Sequence, residues 1–319
     1  MANNIWNDLK KPIFVLAPMD DVTDTVFRQV IADCAPPDLY FTEFVNVDGL
    51  QSVGREKLIH KLRYTAKEKP IIAQVWGKNP DNYYKTIKDL IKMGFDGVDI
   101  NMGCPVKVVV KDGCCVALVD NRILASEIIK ATQKAAEGKI PVSVKTRIGN
   151  KTTDMSWIEF LLTHNLDALT VHGRTGKRMS KVPADWHKIG EARELRDRLS
   201  PATKIIGNGD VMSCADGLKL ADKYKLDGIM IGRGIFHDPF VFANSLSSES
   251  PWGNYSKAQK IELYKKHVQL FAKTWKKDER RSIGLNKFCK IYINGFDGAK
   301  EMRIELMAAQ NIDELLEKL

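Results

Sequence analysis

Residues 204–234, KIIGNGDVMSCADGLKLADKYKLDGIMIGRG, contain two short apolar runs that end alike. The runs KIIGNGD (204–210) and GIMIGRG (228–234) are mostly apolar until each reaches glycine and a charged residue. Continuous apolar runs of this length are typical of parallel strands that are buried on both faces. Because the second run ends like the first, the pair favours a closed barrel over an open doubly wound sheet.

Six further runs of the same kind precede this pair. They are FVLAPM (14–19), LYFTEF (39–44), PIIAQVWG (70–77), GVDINMG (97–103), PVSVKTRIG (141–149) and ALTVHGR (168–174). Helical segments with amphipathic spacing separate the runs, and one of them begins with a cap and a proline at Asn79-Pro80. The repeats predict an α/β fold, a (β/α)8 TIM barrel over residues 1–245, followed by a small all-α helical bundle over residues 246–319.

The composition is that of an ordinary globular protein. The 319 residues are 44% apolar and 28% charged, and no apolar run reaches the roughly 18 residues needed to cross a bilayer. Residues 1–12, MANNIWNDLKKP, lack the apolar core of a secretion signal. The six cysteines are too sparse for a disulfide framework. We therefore expect reduced thiols, a cytoplasmic location, no membrane contact and a monomer without a stable protein partner.

The net charge of +9 is concentrated near the C-terminus. From Pro251 onward there are 14 Lys and Arg against 9 Asp and Glu, which indicates a polyanionic partner. A helix pattern from Ser256 places apolar side chains on one stripe and most lysines off it. The stripe comprises Ile261, Tyr264, Val268, Phe271 and Trp275, and the lysines are Lys260, Lys265, Lys266, Lys273, Lys276 and Lys277.

Polar, basic or glycine residues follow nearly every predicted strand. TIM-barrel enzymes place their chemistry at the C-terminal ends of the strands, so these residues predict one large polar site. They are Pro18, Met19, Glu43, Gln74, Asn101 to Cys104, Lys145, Arg147, His172, Arg174, Asn208, Gly209, Asp210, Gly232 and Arg233. The last two strand ends, NGD and GRG, offer unobstructed backbone N–H groups and one guanidinium, which favours a phosphate site over two ordinary turns.

Two cations and a histidine lie on neighbouring predicted strands. Lys145 and Arg147 are two residues apart, so both side chains point to the same face of their strand. If that face is the barrel interior, the pair needs an anion or an electron-rich ring; the alternative is an outward pair bonded to a helix carboxylate. His172 lies beside a glycine that opens space for a ligand.

Cys104 is held between Gly103 and Pro105 after the fourth strand. Proline restricts the residue before it to extended geometry, so the thiol lies on a stiff corner at the barrel mouth. A thiol with a pKa near 8.5 is mostly protonated at neutral pH and suits a general acid. Structural zinc sites prefer C-x₂₋₄-C pairs, which this chain lacks, so we expect no metal.

Taken together, these residues make the chain resemble the tRNA dihydrouridine synthase family over essentially its full length. The motifs appear in family order as APM…VTDTVFR (17–28), TEF (42–44), QVWG (74–77), D-x-N-x-GCP (99–105), VKTRIG (144–149), VHGRT (171–175), NGD (208–210) and IGRG (231–234). The segment KFCKIYINGFDGAKEMR (287–303) resembles the family's C-terminal helical domain.

The resemblance implies a flavoenzyme that reduces the C5–C6 double bond of selected tRNA uridines. NADPH would reduce bound FMN, the flavin would pass hydride to C6, and Cys104 would protonate C5. Asn101, Arg147 and Arg174 would lie near the target uridine, and a stacked uridine must turn out to reach the pocket. The implied FMN contacts are Pro18, Met19, Asp20, Gln74, Lys145, His172, Asn208, Gly209, Asp210, Gly232 and Arg233.

Two positions depart from the family pattern. Cys115 stands where glycine is common, which predicts a different path for the loop beside Cys104 and, with Cys114, suggests inactivation by oxidation. The Asp20-Asp21 pair stands where small or single acidic residues are more frequent, which leaves the flavin contact of Asp20 open.

Three alternatives remain. An FMN barrel acting on a free pyrimidine, like dihydroorotate dehydrogenases, also has an asparagine and a Cys-Pro corner, although the basic tail and VHGRT favour tRNA. A catalytically idle tRNA-binding barrel is disfavoured by the intact Cys104, Lys145 and His172. A phosphosugar isomerase barrel would leave Cys104 and Gln74 without a role.

Overall fold

A computed structural model describes residues 4–243, 250–276 and 279–319. Its strands are β1 Ile13–Leu16, β2 Tyr40–Phe41, β3 Val45–Asn46, β4 Ile71–Trp76, β5 Gly97–Met102, β6 Val142–Arg147, β7 Ala168–His172, β8 Lys204–Asn208 and β9 Gly228–Ile231. Its helices are α1 Ile5–Asp8, α2 Thr25–Cys34, α3 Val47–Leu50, α4 Pro80–Lys92, α5 Lys107–Lys111, α6 Arg122–Ala136, α7 Met155–Leu162, α8 Trp186–Leu199, α9 Cys214–Tyr224, α10 Lys257–Thr274, α11 Asn286–Tyr292, α12 Ala299–Met307 and α13 Ile312–Lys318.

The strands form a parallel barrel in the order β1-β9-β8-β7-β6-β5-β4-β2. A bridge between Val15 and Leu39 joins β1 to the start of β2 and brings the two ends of the sheet together. The second predicted run, residues 39–44, contains only β2, and β3 follows just after its end; both strands pair with β4. The predicted TIM barrel is therefore confirmed.

The two ends of the barrel interior differ in polarity. At the N-terminal end, Trp6 of α1 packs against a cluster of inward-facing apolar residues. They include Ile13, Val15, Phe41, Ile72, Ala168, Ile206 and Met230. Toward the other end, the inward positions of β5 and β6 carry Asp99, Asn101, Ser143 and Lys145. The apolar end is a small core inside the barrel, separate from the larger core between the strands and the helices, and the polar end is available for chemistry.

The C-terminal region is helical and packs on α2. Ser256, where the predicted helix pattern begins, caps α10 in a reciprocal arrangement with Gln259. The ring of Phe27 in α2 lies 5.0 Å from that of Phe288 in α11, measured between centroids. The predicted apolar stripe of α10 is buried at Tyr264, Val268 and Phe271 and at Trp275 just beyond the helix. The predicted division between residues 245 and 246 lies outside the described residues.

One lysine of α10 departs from its prediction. Lys260 is only 6% exposed: its ammonium donates to the Asn294 carbonyl at 3.2 Å and lies 4.9 Å from the centroid of the Trp252 ring. Lys260 is therefore part of the packing of the C-terminal region. Lys266, Lys273 and Lys276 are exposed, whereas Lys277 lies outside the described residues.

None of the helices in residues 4–243, 250–276 and 279–319 combines the length and the apolar character that crossing a membrane requires.

Candidate active site

A cavity of about 280 Å³ opens at the C-terminal ends of β1 and β6 to β9. Among the sequence-predicted site residues, it is lined by Pro18, Met19, Lys145, Arg147, His172, Arg174, Asn208, Gly209, Asp210, Gly232 and Arg233. It is also lined by residues that the sequence reasoning missed, namely Ala17, Ser180, Val211, Met212 and Met230. Ser180 belongs to the loop after β7, and that position alone could have signalled it because active-site loops follow barrel strands.

Lys145 and Arg147 both point into the cavity, which excludes the outward-facing alternative. The Lys145 ammonium donates to Asn208 Oδ1 at 3.2 Å, and the Asn208 amide nitrogen donates to the Met230 carbonyl at 2.8 Å. The backbone carbonyl thus fixes the amide so that its oxygen faces the ammonium. Burial, and then the charge of Arg147, lower the pKa of Lys145 to about 8.

His172 is held as a neutral ring. Arg174 lies 3.2 Å from its Nε2, and because a guanidinium only donates, Nε2 is the acceptor and the ring proton lies on Nδ1. Burial, and then the charges of Arg147, Lys145 and Arg174, lower the pKa of His172 well below its usual value. His172 can therefore donate one hydrogen bond from Nδ1 to a ligand.

Asp210 organises the other side of the cavity. Its carboxylate forms an ion pair with Arg174, accepts from Arg233 at 2.9 Å and accepts from the Ala184 N–H at 2.9 Å. Arg174 is 4% exposed and also donates to the Val182 carbonyl, so it holds the loop after β7. The Arg233 side chain is 57% exposed and extends toward the cavity mouth.

The charges around the cavity are not balanced. Lys145, Arg147, Arg174 and Arg233 carry positive charge, and Asp210 is the one carboxylate among the lining residues of the described chain. A cluster of cations this close together needs an anion. The excess positive charge of the lining residues therefore suits a phosphorylated or otherwise anionic ligand.

The backbone at Gly209 leaves room for such a ligand. Its φ is 130°, and an added Cβ would come within 2.6 Å of the Ala184 Cβ and 3.3 Å of His172 Cδ2. No other residue fits there without displacing both neighbours. The glycine leaves space, and the cations and the neutral histidine offer hydrogen-bond donors, so the lining suits an anionic ligand.

Cys104 lies beside the cavity on a loop that Arg147 and Asn101 hold. Arg147 Nε donates to the Gly103 carbonyl at 2.6 Å, and Asn101 Oδ1 accepts from the Cys104 N–H at 2.7 Å. Burial raises the pKa of the Cys104 thiol, against the opposing effects of the Val106 N–H and of the cations at Arg147 and Lys145. The thiol is thus protonated at neutral pH.

Two predicted cofactor contacts lie outside the lining. Asp20 forms an ion pair with Lys61 on the protein surface. Gln74 is fully buried below the cavity, where it bonds to Asp99 and Asn101. Their contact with a cofactor stays a prediction.

The loop with the two extra cysteines has a glycine-like backbone conformation at Cys115, and a path different from that of the family stays a prediction. Cys115 has a φ of 55°, in the left-handed region where glycine is favoured. Cys114 and Cys115 are both buried, and burial raises the pKa of Cys114 to about 11 and that of Cys115 well above its usual value. Buried thiols with raised pKa values react slowly with oxidants, which disfavours the predicted oxidative switch.

Glu43, unlike most of the other residues predicted at strand ends, does not line the cavity. It is fully buried at the junction between the barrel and the C-terminal helices, where it forms an ion pair with Arg280 and accepts from the Asp21 N–H at 2.7 Å. The carboxylates of Asp20, Asp21 and Glu43 lie within 4.8 Å of one another. Lys61 and Arg280 form ion pairs with this acidic group.

The barrel and its cationic cavity define a TIM-barrel protein whose polar site, suited to an anionic ligand, lies at the C-terminal strand ends. A family model described as Dihydrouridine synthase (Dus) matches residues 15–319. A "Probable tRNA-dihydrouridine synthase" of Staphylococcus aureus (strain COL) is 42% identical over 317 residues, which cover 98% of this chain and 94% of the relative. A "Probable tRNA-dihydrouridine synthase 2" of Bacillus subtilis (strain 168) is 41% identical over 318 residues, with coverage of 99% and 95%. The chain therefore belongs to the dihydrouridine synthase family, whose members are flavin-dependent oxidoreductases.

Solved structures show the same fold at low sequence identity. A histamine dehydrogenase from Rhizobium sp. 4-9 matches with a TM-score of 0.57 at 12% identity, over 84% of this chain and 51% of that chain. Morphinone reductase matches with a TM-score of 0.51 at 13% identity, over 73% of this chain and 85% of that chain. At these identities the likeness concerns the barrel fold alone.

Proposed function

We propose that this protein reduces the C5–C6 double bond of uridines in tRNA, with FMN in the cationic cavity and NADPH as the reductant. The observation that carries the proposal is the unbalanced group of cations beside a rigidly held, protonated thiol. The names of the relatives at 41% and 42% identity support the choice of tRNA as substrate.

The residues of the cavity divide into two groups by what they can hold. Arg233 and the glycine backbone at Gly209 suit the phosphate, and Lys145 and His172 suit the ring. When bound, the flavin supplies the hydride that is added to C6 of the uracil. The role of the Lys145 ammonium is to offset negative charge on the electron-rich ring.

Cys104 completes the reduction as the proton donor. The uracil double bond gains a hydride at C6 and the thiol proton at C5, and the resulting thiolate recovers a proton from solvent. Asn101 holds the backbone of the thiol, and Arg147 fixes the same loop through the Gly103 carbonyl. Both side chains therefore act where the uracil must lie.

The C-terminal helices are the proposed binding surface for the rest of the tRNA. Lys266, Lys273 and Lys276 are exposed on or next to α10 and can contact phosphates without reading sequence. We expect the protein to act as a monomer in the cytoplasm, in keeping with its six free cysteines.

An absorption spectrum tests the proposal directly. We expect a flavin spectrum that NADPH bleaches and that returns under anaerobic conditions when unmodified tRNA is added. Recovery with a small pyrimidine in place of tRNA would support a dihydroorotate dehydrogenase-like activity, and absence of flavin after reconstitution would contradict an enzymatic role.

A second experiment tests the proton donor. Cys104→Ala should keep its flavin and its reduction by NADPH, while reoxidation by tRNA falls by about 10²- to 10⁴-fold because the proton donor is lost. Cys34→Ala, at a thiol on α2, is the matched control and should reoxidise at the normal rate. Normal reoxidation in Cys104→Ala would remove the assignment.

A further inference from the structure

A buried carboxylate with no place in the proposed reaction lies below the cavity. Asp99 is fully buried in the middle of β5, next to Gln74 on β4 and Ser143 on β6 in the strand register. The Gln74 amide nitrogen donates to one carboxylate oxygen at 2.7 Å, and the Ser143 hydroxyl donates to the other at 2.7 Å. Asp99 is not among the residues that line the cavity.

The hydrogen bonds continue from Gln74 to the reactive thiol. Asn101 Nδ2 donates to Gln74 Oε1 at 3.0 Å. Asn101 Oδ1 in turn accepts from the backbone N–H groups of Gly103 at 3.1 Å and Cys104 at 2.7 Å. The bonds thus connect the Asp99 carboxylate, through two side-chain amides, to the backbone of Cys104.

The direction of every bond in this series agrees with the acceptor at one end, Asp99, and with the backbone N–H donors of Gly103 and Cys104 at the other end. An ionised carboxylate only accepts, so Gln74 must turn its nitrogen toward Asp99 and its oxygen toward Asn101. Asn101 must then turn its nitrogen toward Gln74, which leaves its oxygen for the N–H of Cys104. Burial raises the pKa of Asp99 to about 6, while the bonds from Ser143 and Gln74 oppose the rise, so the carboxylate is largely ionised at neutral pH.

A buried carboxylate is costly, which makes a purely space-filling role a poor explanation. A side-chain amide can be flipped with little change in shape, so packing alone does not fix which way Gln74 and Asn101 point. A group that offers only acceptors removes this ambiguity for both amides. If the Asn101 amide were flipped, its NH₂ group would face the N–H of Cys104. Two donors cannot bond to each other, so the loop would lose this attachment.

We propose that Asp99 is a positioning residue that sets the amide orientation of Gln74 and Asn101 and thereby holds the Cys104 thiol in place. The consequence for uridine reduction rests on the proposed function, whereas the consequence for the thiol itself does not.

Two substitutions at position 99 separate the effect of Asp99 on the amide orientations of Gln74 and Asn101 from the effect of its negative charge. Asp99→Asn can still accept from Gln74 through its oxygen and donate to the Ser143 hydroxyl, which can turn toward the Val98 carbonyl at 3.4 Å. It therefore preserves the bond directions without the charge. Asp99→Ala removes the acceptor. If the alanine variant does not fold, Asp99→Leu is used instead, since it has the same branched shape with larger methyl groups and no acceptor.

The first measurement is the alkylation rate of Cys104 by iodoacetamide, followed by peptide mass spectrometry in flavin-free protein. Loss of the hydrogen bonds from the Gly103 and Cys104 N–H groups to Asn101 should loosen the loop and raise the rate up to about tenfold in Asp99→Ala. Asp99→Asn should stay within about twofold of the unsubstituted protein. A normal rate in Asp99→Ala, or equally raised rates in both variants, would overturn the proposal.

The second measurement compares the two half-reactions of the flavin-loaded protein. In Asp99→Ala, reoxidation by saturating tRNA should slow by about 10- to 100-fold, because the proton donor is displaced, while reduction by NADPH should change little. Asp99→Asn should restore most of the reoxidation rate. If tRNA does not reoxidise the unsubstituted protein, the proposed function fails, and the alkylation result still decides whether Asp99 positions the thiol.

Discussion

Two cavities of similar size differ in how their charges are balanced. The cavity at the strand ends, of about 280 Å³, is lined by four cations and the single carboxylate of Asp210 among the described residues. The cavity at the junction with the C-terminal helices, of about 260 Å³, is lined by Asp21, Asp24 and Glu279 together with Arg280, Arg281 and Lys287. Positive and negative residues are therefore equal in number at the junction.

The junction charges bond to one another across the two parts of the chain. Arg280 pairs with the fully buried Glu43 and lies 3.4 Å from a carboxylate oxygen of Asp21 and 3.7 Å from one of Asp24. Trp275 Nε1 donates to Asp24 at 3.0 Å. Charges that are already paired leave little attraction for a ligand. The comparison teaches that unmatched charge, and not cavity size, distinguishes the proposed ligand site from the junction.

The largest expected effect comes from unbalancing the junction. Arg280→Met should lower the free energy of unfolding by about 3–5 kcal/mol, because Glu43 is left buried without its partner. Denaturant unfolding measures the loss. Arg281→Met, at the exposed neighbouring residue, is the matched control and should change stability little. Equal losses in the two variants would show that Arg280 does not hold the junction.

The buried Glu43 at the junction also leads us to expect that the stability of the protein depends on pH. Burial raises the pKa of Glu43 to about 7, against the opposing charge of Arg280. The folded state therefore binds this proton more tightly than the unfolded state, and the stability it contributes is lost as pH rises through about 7. In Arg280→Met, melting temperatures should rise as pH is lowered from about 8 to 5, and Glu43→Gln in the same background should remove that rise.

Relieving the charge imbalance in the other cavity should have the opposite effect on stability. Lys145→Met removes one of four crowded cations, so the flavin-free protein should gain about 1 kcal/mol in the free energy of unfolding. FMN affinity should fall by about 100-fold because the ring loses its ammonium partner. Equilibrium dialysis and denaturant unfolding measure the two changes, with Lys177→Met on the exposed loop as control. Unchanged affinity would contradict the placement of the ring.

A smaller effect is expected at the cavity mouth. Arg233→Ala should weaken FMN binding by about tenfold through loss of a charge-assisted bond to phosphate. Stability should change little because the side chain is 57% exposed. Riboflavin, which has no phosphate, should bind equally well to the variant and to the unsubstituted protein. A matching loss with riboflavin would place Arg233 against the ring instead.

The smallest effect is a proton taken up when FMN binds. The pKa of Lys145 is about 8 in the unliganded site, and the hydrogen-bond acceptors of the flavin ring favour its charged form. FMN affinity should therefore be constant below pH 8 and decline above it. Calorimetry at about pH 8.5 in buffers with different ionisation enthalpies measures the uptake, which should vanish in Lys145→Met.

The strand ends show how far sequence could predict the site. Lys145, His172, Asn208 and Arg233 were expected at the barrel mouth and do line the cavity, because parallel strands with short loops bring their C-terminal ends to one side. Glu43 followed the same rule in sequence, yet its side chain turns to Arg280. That partner lies far along the chain, and no local pattern indicates such a pairing.

Asp99 shows a second limit of prediction from sequence. An acidic residue inside the apolar run GVDINM was a visible signal that a buried group must be satisfied. Its partners Gln74 and Ser143 lie on neighbouring strands, and only the strand register brings their side chains to the carboxylate. Lys260 shows the same limit. Its position on α10 predicts an exposed side chain, but the packing of the C-terminal region buries it.

The sequence by itself determined the strands, the helices between them, the stiff corner at Cys104 and the basic, glycine-containing strand ends. These features depend on neighbours within a few residues, through side-chain periodicity and backbone restriction. The tertiary structure decided which polar residues enter the cavity, which amides orient the thiol and which charges cancel at the junction. Those outcomes depend on distances between residues far apart in sequence, and such distances are fixed only when the barrel closes and the C-terminal helices pack on α2.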